Sequence, residues 1–374
     1  MIFELTTLPG DSRPVFLTGN FCDWQPRLPA YQLLQIADGH YKIEVPDENL
    51  PEKIEYKYSR GGWENVELDT EGKITSNRKC WKTEGFRQDL VENWRYNWGP
   101  FKQEFFPICE VISEEFYMPQ LDRTRKVWAL LPHNYYETEK RYPVLYLHDA
   151  QNLFNEGSPY GNWEIDKKLS ILAEYGRGDI IVIAVDHGKE ARISEYIFDN
   201  DAVSNGSEGK RYIRFITDTL KPFVDANFRT LKEREFTGIG GSSLGGLISI
   251  YSGFLYPEVY SKLMIFSPSL WVEPRNNFPM LGFRKPFDLK MYIYGGEKEG
   301  SRMVARIKRF VKTMQRWEYK NFFKMDVKVS INPEGEHNEF YWSQEFPAAV
   351  EWLYFDSLED PKNLAESAAT EYQK

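Results

Sequence analysis

Three residue types in a fixed order could carry acyl-transfer chemistry in this 374-residue chain. The first is a serine in Gly241-Ser242-Ser243-Leu244-Gly245, a G-x-S-x-G pattern. A serine on a sharp strand-to-helix turn adopts a strained backbone, and small neighbours let the turn close. The pattern selects Ser243 as nucleophile and leaves Ser242 as a small turn residue. The alternative is a Gly/Ser-rich turn that only packs. A serine nucleophile needs a base, and the base needs an acid to orient it. Of five histidines, only His337 follows the serine, in the loop Asn332-Pro333-Glu334-Gly335-Glu336-His337-Asn338-Glu339. The acid is expected after the strand at Met291-Tyr292-Ile293-Tyr294, in Gly295-Gly296-Glu297-Lys298-Glu299-Gly300. A G-x-x-acid spacing favours Glu299. Glu297 is the other candidate, and both could instead be charges at a helix start, where carboxylates stabilise the dipole.

A developing oxyanion needs two backbone N–H donors. Leu244, next to the serine, supplies one. The other is expected from the loop after Val144-Leu145-Tyr146-Leu147-His148, at Ala150 or Gln151. His148, at the strand end, reads as a packed, hydrogen-bonded histidine. Asn152, Trp163, Arg192, Trp271 and Trp342 are candidates to line a substrate pocket, whose aromatic walls would suit a ring-bearing acyl group or a sugar. Arg192 could grip a carboxylate bidentately or pair with Glu195.

These groups must be positioned by the elements around them. From residue 109 onward strands and helices alternate. Strands are expected at 109–118, 126–131, 143–148, 179–185, 235–240, 262–266, 290–294 and 325–331, and helices at 163–175, 210–226, 244–255, 301–317 and 344–355. Continuous apolar strands such as Ile180-Ile181-Val182-Ile183-Ala184-Val185 suit a sheet covered on both faces. In the helix expected at 301–317, Met303, Ile307, Phe310, Val311 and Met314 fall at helical spacing. The expectation is an α/β domain with a mostly parallel sheet. Residues 1–83 differ: short alternating runs between Gly, Pro and Asp turns read as a small all-β, immunoglobulin-like sandwich. Residues 84–108, with Trp94, Tyr96, Trp98, Phe101, Phe105 and Phe106, read as an aromatic joint between the two.

A net charge of −9 argues against nucleic acid as the main partner. No run approaches 18 apolar residues, so no helical membrane span is expected. The three cysteines show no metal spacing and suggest free thiols in a reducing, cytoplasmic setting. No signal segment is evident. Aromatics at 16%, with 11 Trp, favour stacking on sugar-like ligands as well as core filling. No metal or cofactor is called for.

Two resemblances follow from these residues. Tyr142 to Phe154, Trp163 to Asp166, Arg192 to Tyr196, Gly241 to Gly246, Ser267-Pro268-Ser269-Leu270-Trp271 and Gly335 to Trp342 resemble the esterase family of α/β-hydrolases. That family includes enterochelin esterases, the esterase D group, carbohydrate esterase family one feruloyl and acetyl esterases, and mycolyltransferases. The resemblance implies an α/β-hydrolase with a Ser-Glu/Asp-His triad acting on a small-molecule or oligosaccharide ester. Ala150 departs from it, since relatives often carry Gly beside the oxyanion loop. In the front module, Gly19-Asn20-Phe21-Cys22-Asp23-Trp24-Gln25-Pro26, Glu55-Tyr56-Lys57-Tyr58 and Asn77-Arg78 resemble starch- and glycogen-binding modules. This resemblance implies a glucan platform of Trp24, Lys57, Glu67 and Asn77. Trp63 stands in for a second tryptophan, because Val66 and Leu68 flank Glu67.

Overall fold

The computed structural model describes residues 1–9, 13–62, 65–70, 75–94, 102–154, 161–198, 206–272, 288–300, 302–321 and 324–355, with side chains from 317 to 321 left aside. The chain divides into two compact units, Met1–Pro100 and Phe101–Lys374.

The front unit is all-β. Its strands are β1 (Ile2–Thr7), β2 (Phe16–Gly19), β3 (Leu34–Ala37), β4 (His40–Glu44), β5 (Lys53–Ser59), β6 (Glu67–Leu68), β7 (Arg78–Trp81), β8 (Phe86–Val91) and β9 (Asn93–Trp94). They form sheets ordered β3-β4-β1-β8, β2-β5-β7 and β6-β9. Alternation along β1 buries Phe3 and Leu5 with Leu17, Ile54, Tyr56 and Val91 in one core. The boundary differs from the sequence expectation. Strands β8 and β9 lie where a joint was expected, because β8 pairs in parallel with β1 and Val91 and Trp94 enter the core. Of the joint aromatics, Tyr96, Trp98 and Phe101 lie outside the described residues.

The back unit carries an eight-stranded sheet of β10 (Ile108–Met118), β11 (Arg123–Leu131), β12 (Val144–His148), β13 (Ile181–Val185), β14 (Thr237–Ser242), β15 (Lys262–Phe266), β16 (Asp288–Gly296) and β17 (Lys324–Asn332). The order is β10-β11-β13-β12-β14-β15-β16-β17. The pairings that β11 makes are antiparallel and those from β13 to β17 are parallel. Every residue of β12, β13 and β14 is buried, as continuous apolar or small-residue runs require when both faces are covered. The helices are α1 (Ile165–Glu174), α2 (Arg192–Tyr196), α3 (Gly209–Arg214), α4 (Lys221–Asn227), α5 (Leu244–Leu255), α6 (Met303–Asn321) and α7 (Glu339–Tyr354). A π-turn at Phe215–Leu220 joins α3 to α4. Met303, Ile307, Phe310 and Met314 of α6 are buried in the core, as their spacing predicts.

Two helix expectations need correction. The short α2 was not foreseen, since five residues are too few to show a period. The last helix starts at Glu339, well before residue 344. The Asn338 side chain caps it by accepting the Tyr341 N–H at 3.4 Å, and Pro347 lies within it.

The sheet itself selects the place for a site. After β12 the chain goes to one side, to β13, and then returns to the other, to β14. The strand order reverses there, leaving a crevice at the carboxyl ends of β12 and β14. The loops after β14, β16 and β17, and the turn after β12, open at that same edge.

Candidate active site

Ser243 sits between the last residue of β14 and the first of α5, with φ 56° and ψ −118°. That conformation is costly for a residue with a Cβ. It is tolerated because the turn is made of small residues in close contact. A Cβ on Gly241 would come within 3.1 Å of the Gly245 backbone, and one on Gly246 within 3.1 Å of the Gly241 carbonyl. The turn is pinned by Ser243 N donating to Phe266 O at 2.9 Å and Ser269 N donating to Ser243 O at 3.0 Å. The first N–H groups of α5, beginning with Leu244, precede the helical hydrogen bonds and face outward, as at any helix start.

The turn after β12 offers a second set of donors. Asp149 adopts a left-handed conformation with φ 62°, and Ala150–Asn152 form one 3-10 turn. Asn152 N and Leu153 N close that turn on Asp149 O and Ala150 O. The N–H groups of Ala150 and Gln151 come before those bonds and are not used to close the turn. The Gln151 side chain spans to the His187 backbone, accepting from its N–H at 2.9 Å. Asn152 Nδ2 donates to Glu339 Oε1 at 3.1 Å, which ties this turn to the start of α7.

Glu299 follows β16, and its carboxyl is fully used. Oε1 accepts from Ser267 Oγ and Gly296 N, each at 2.6 Å. Oε2 lies 2.7 Å from His337 Nδ1, with the Glu299 side chain 0% exposed and that of His337 34% exposed. A carboxylate accepts a hydrogen bond from Nδ1–H, so the Nε2 lone pair is the one left over. Among the described residues Nε2 has no hydrogen-bond partner. Glu297 does not reach the histidine. The His337 ring is held edge-on by Trp342 at 5.0 Å and flanked by Trp271 at 6.4 Å.

The hydroxyl of Ser243 meets Ser269 Oγ at 3.1 Å. Hydroxyl rotation is cheap, and catalytic hydrogen bonds are often longer or differently aligned before substrate binds. Ser267 is a second residue that motif reasoning missed. It is strained, with φ 44°, and its hydroxyl receives Trp342 Nε1–H at 2.9 Å while donating to Glu299. The signals available were its place directly after a buried strand and in the Ser267-Pro268-Ser269-Leu270-Trp271 segment that resembles the family.

Several expected pocket residues have other duties. Trp163 is 1% exposed and stacks on Phe266 at 5.1 Å, so it belongs to the core. Trp342 is buried, with only its edge against His337. Arg192 grips Asp149, through Nε at 2.7 Å and Nη2 at 2.8 Å, and lies over Tyr196. It does not pair with Glu195, which is engaged by Arg123 and Arg125. Of the five, Trp271 keeps a broad open face, 44% exposed. His148 is buried between Tyr212 OH at 3.0 Å and Ser249 Oγ at 3.1 Å, and burial pushes its pKa down to about 4. Ser249 donates to Gly245 O, so His148 accepts from Tyr212 and donates to Ser249 as a neutral ring.

Two of the residues expected in a glucan platform, Lys57 and Glu67, are buried. Glu67 is 0% exposed, accepting from Tyr58 N at 3.0 Å and Arg78 Nε at 2.7 Å. Lys57 is buried and donates to the Thr75 carbonyl. Trp63 lies outside the described residues. Trp24 and Asn77 are half-buried. The Gly19-Asn20 pair has a structural use: Asn20 Nδ2 donates to Lys53 O at 3.0 Å and its Oδ1 accepts from Glu55 N at 3.2 Å, which clamps the loop to β5.

A family model described as "Putative esterase" matches residues 119–353. The chain belongs to this esterase family. The match lies wholly within the α/β-hydrolase-like back unit. The esterase chain is 25% identical over 240 residues to an uncharacterised Bacillus subtilis protein, YbbA, covering 62% of this chain and 92% of that one. It is 39% identical over 77 residues to an alpha-amylase of Niallia circulans, covering 19% of this chain and 6% of the amylase. Among solved structures, the enterobactin esterase of Shigella flexneri is similar in fold, with TM-score 0.52 and 13% identity, covering 94% of this chain and 92% of that one. No described helix is long and apolar enough to cross a membrane.

Proposed function

We propose that the protein is a serine esterase in which Ser243, His337 and Glu299 act as a triad. The observation that carries this reading is the buried Glu299 carboxylate 2.7 Å from His337 Nδ1, on the same sheet edge as the strained Ser243. In this mechanism the Ser243 hydroxyl turns from Ser269 toward His337 Nε2. Its oxygen bonds to the ester carbonyl carbon as the proton passes to Nε2. The resulting oxyanion is held by Leu244 N–H and by Ala150 or Gln151 N–H, each such donor contributing about 3 kcal/mol to transition-state stabilisation. The alcohol leaves with the proton from Nε2, giving an acyl-enzyme. Water then repeats the sequence and releases the acid. No step calls for a metal or cofactor.

For substrate, the exposed Trp271 ring beside His337 favours an ester with an aromatic or sugar ring near the scissile bond. Acetyl or feruloyl esters of a carbohydrate are the first candidates. The similarity in fold over 94% of the chain to an enterobactin esterase supports a second reading, a catecholate siderophore ester. The burial of Lys57 and Glu67 weighs against a front unit that binds glucan, and the open Nε2 of His337 weighs against a purely sugar-binding protein. The test uses p-nitrophenyl acetate, methyl ferulate, an acetylated sugar and a catecholate trilactone. Ser243→Ala is expected to lower turnover at least ~10⁴-fold with the unfolding midpoint retained. Equal turnover in the variant would rule the assignment out.

A further inference from the structure

The helix that follows Glu299 carries cations where a helix least favours them. From Arg302 to Trp317 the sequence has Arg302, Arg306, Lys308, Arg309, Lys312 and Arg316 and no acid, in a chain with net charge −9. Arg302 immediately precedes α6 and Arg306 lies in its first turn, with no acidic residue there to offset them. Positive charge at a helix N-terminus opposes the helix dipole, and like charges four apart on one face repel. A solvated face would place these arginines at the other end of the helix. Many arginines elsewhere in the protein are paired: Arg78, Arg123, Arg125 and Arg192 each grip a carboxylate. Among the described residues, the guanidinium groups of Arg302 and Arg306 have no carboxylate partner.

These residues also enclose space. Arg302, Ala305, Arg306 and Arg309 line a cavity of about 350 Å³. The Arg306 guanidinium lies 5.8 Å from the centre of the Trp271 ring, and that ring lies 6.4 Å from His337. One aromatic side chain therefore neighbours both Arg306, which lines the cavity, and the proposed base.

We propose that this cavity is a subsite for an oxyanion carried by the substrate, with the ring of the ester on Trp271 and a carboxylate or phosphate held by Arg302 and Arg306. A planar guanidinium fork suits either group, and the start of α6 adds backbone N–H groups and a favourable dipole. This deepens the esterase reading and rests on it for the position of the scissile bond. It makes the protein selective for anionic aryl esters over neutral ones.

Two measurements separate this inference from the catalytic reading. The first is calorimetric binding of 4-acetamidobenzoate, its neutral carboxamide and 4-acetamidophenyl phosphate, none of which presents a carboxylic ester. The wild-type protein is expected to bind the anions at least about ten-fold more tightly than the amide, and Arg302→Gln/Arg306→Gln to lose that preference. Whichever anion binds more tightly identifies the group. The second is the kcat/KM ratio of 4-acetoxybenzoate to 4-acetoxybenzamide, expected to fall about ten-fold or more in the double variant and, in wild type only, to fall with added salt. A retained unfolding midpoint shows that the variant is folded, and Arg306→Lys keeps part of the preference. Anion preference in binding without turnover of any ester would sink the triad and leave the subsite standing. The same ligand preference in wild type and double variant would overturn the subsite.

Discussion

Two glutamates, one in each unit, are buried with a nitrogen partner at the same distance. Glu67 is fully buried with Arg78 Nε at 2.7 Å, and Glu299 is fully buried with His337 Nδ1 at 2.7 Å. Around them the chemistry diverges. Arg78 uses Nε on Glu67, Nη1 on Asp89 at 3.0 Å and Nη2 on the Leu90 carbonyl at 2.9 Å. Asp89 in turn receives the hydroxyls of Tyr56 and Tyr58. Every strong group there is satisfied inside the protein, which is what a cross-strand brace requires. Glu299 is equally saturated, but its partner is not: His337 turns one nitrogen inward and leaves the other to solvent. A pair that only holds the fold together closes its valences, whereas a pair poised for chemistry keeps one open. The difference lies in the second residue, not in the acid.

Substituting each acid tests that contrast. Glu299→Gln presents an amide that can donate to His337 Nδ1, favouring the wrong tautomer. We expect kcat on p-nitrophenyl acetate to fall about 10³–10⁴-fold with KM nearly constant. A loss under ten-fold would place the acid elsewhere. Glu67→Ala leaves the Arg78 guanidinium without one of its two carboxylate partners in a largely buried setting. It should lower front-unit stability by about 3 kcal/mol in urea unfolding while leaving kcat/KM on the same ester within about two-fold. An activity loss matching that of Glu299→Gln would erase the distinction.

A subtler test concerns His148, the buried histidine beneath the elbow. Its folded pKa is about 4 against an ordinary value of 6.5. The unfolded chain therefore takes up a proton as pH falls below 6.5, while the folded protein resists until about 4. The neutral ring's contribution is complete above 6.5 and is lost across that window, up to about 3 kcal/mol. Urea unfolding between pH 6.5 and 4.5 should show a steeper decline for wild type than for His148→Gln. Parallel curves would mean that the ring is not held neutral.

The alternating strand pattern was readable because continuous apolar runs and one proline-free segment at 244–255 leave little choice of element. The chain order of serine, acid and histidine was readable for the same reason, since each follows a recognisable strand. Other features are less local. Ser267 and Ser269 stand in a segment that resembles the family, but their partners show only when β15 delivers them next to Glu299 and Ser243. The Arg192–Asp149 pair joins loops after different strands, and sequence alone suggested Glu195 as the nearer partner. The front unit shows the converse. Four of its motif residues match a sugar-binding pattern, yet exposure decides their use, and burial of Lys57 and Glu67 goes with their bonds to Thr75 and Arg78. Pattern gives residue type at a position; it does not give the direction in which a side chain faces.

The bridge from Asn152 to Glu339 has a consequence for timing. It joins residues 187 apart in sequence, and the Glu299–His337 contact spans 38. The elbow, by contrast, closes on Phe266 and Ser269, which follow shortly after α5 in the chain. Long-range closures carry the larger entropic cost and come late in folding. During synthesis the proposed nucleophile thus emerges roughly a hundred residues before its proposed base, at a rate of about 5–20 residues per second. For that interval a strained serine is present without anything to take its proton. On the triad reading, reactivity comes at a single late moment, when α7 docks and Glu339 meets Asn152.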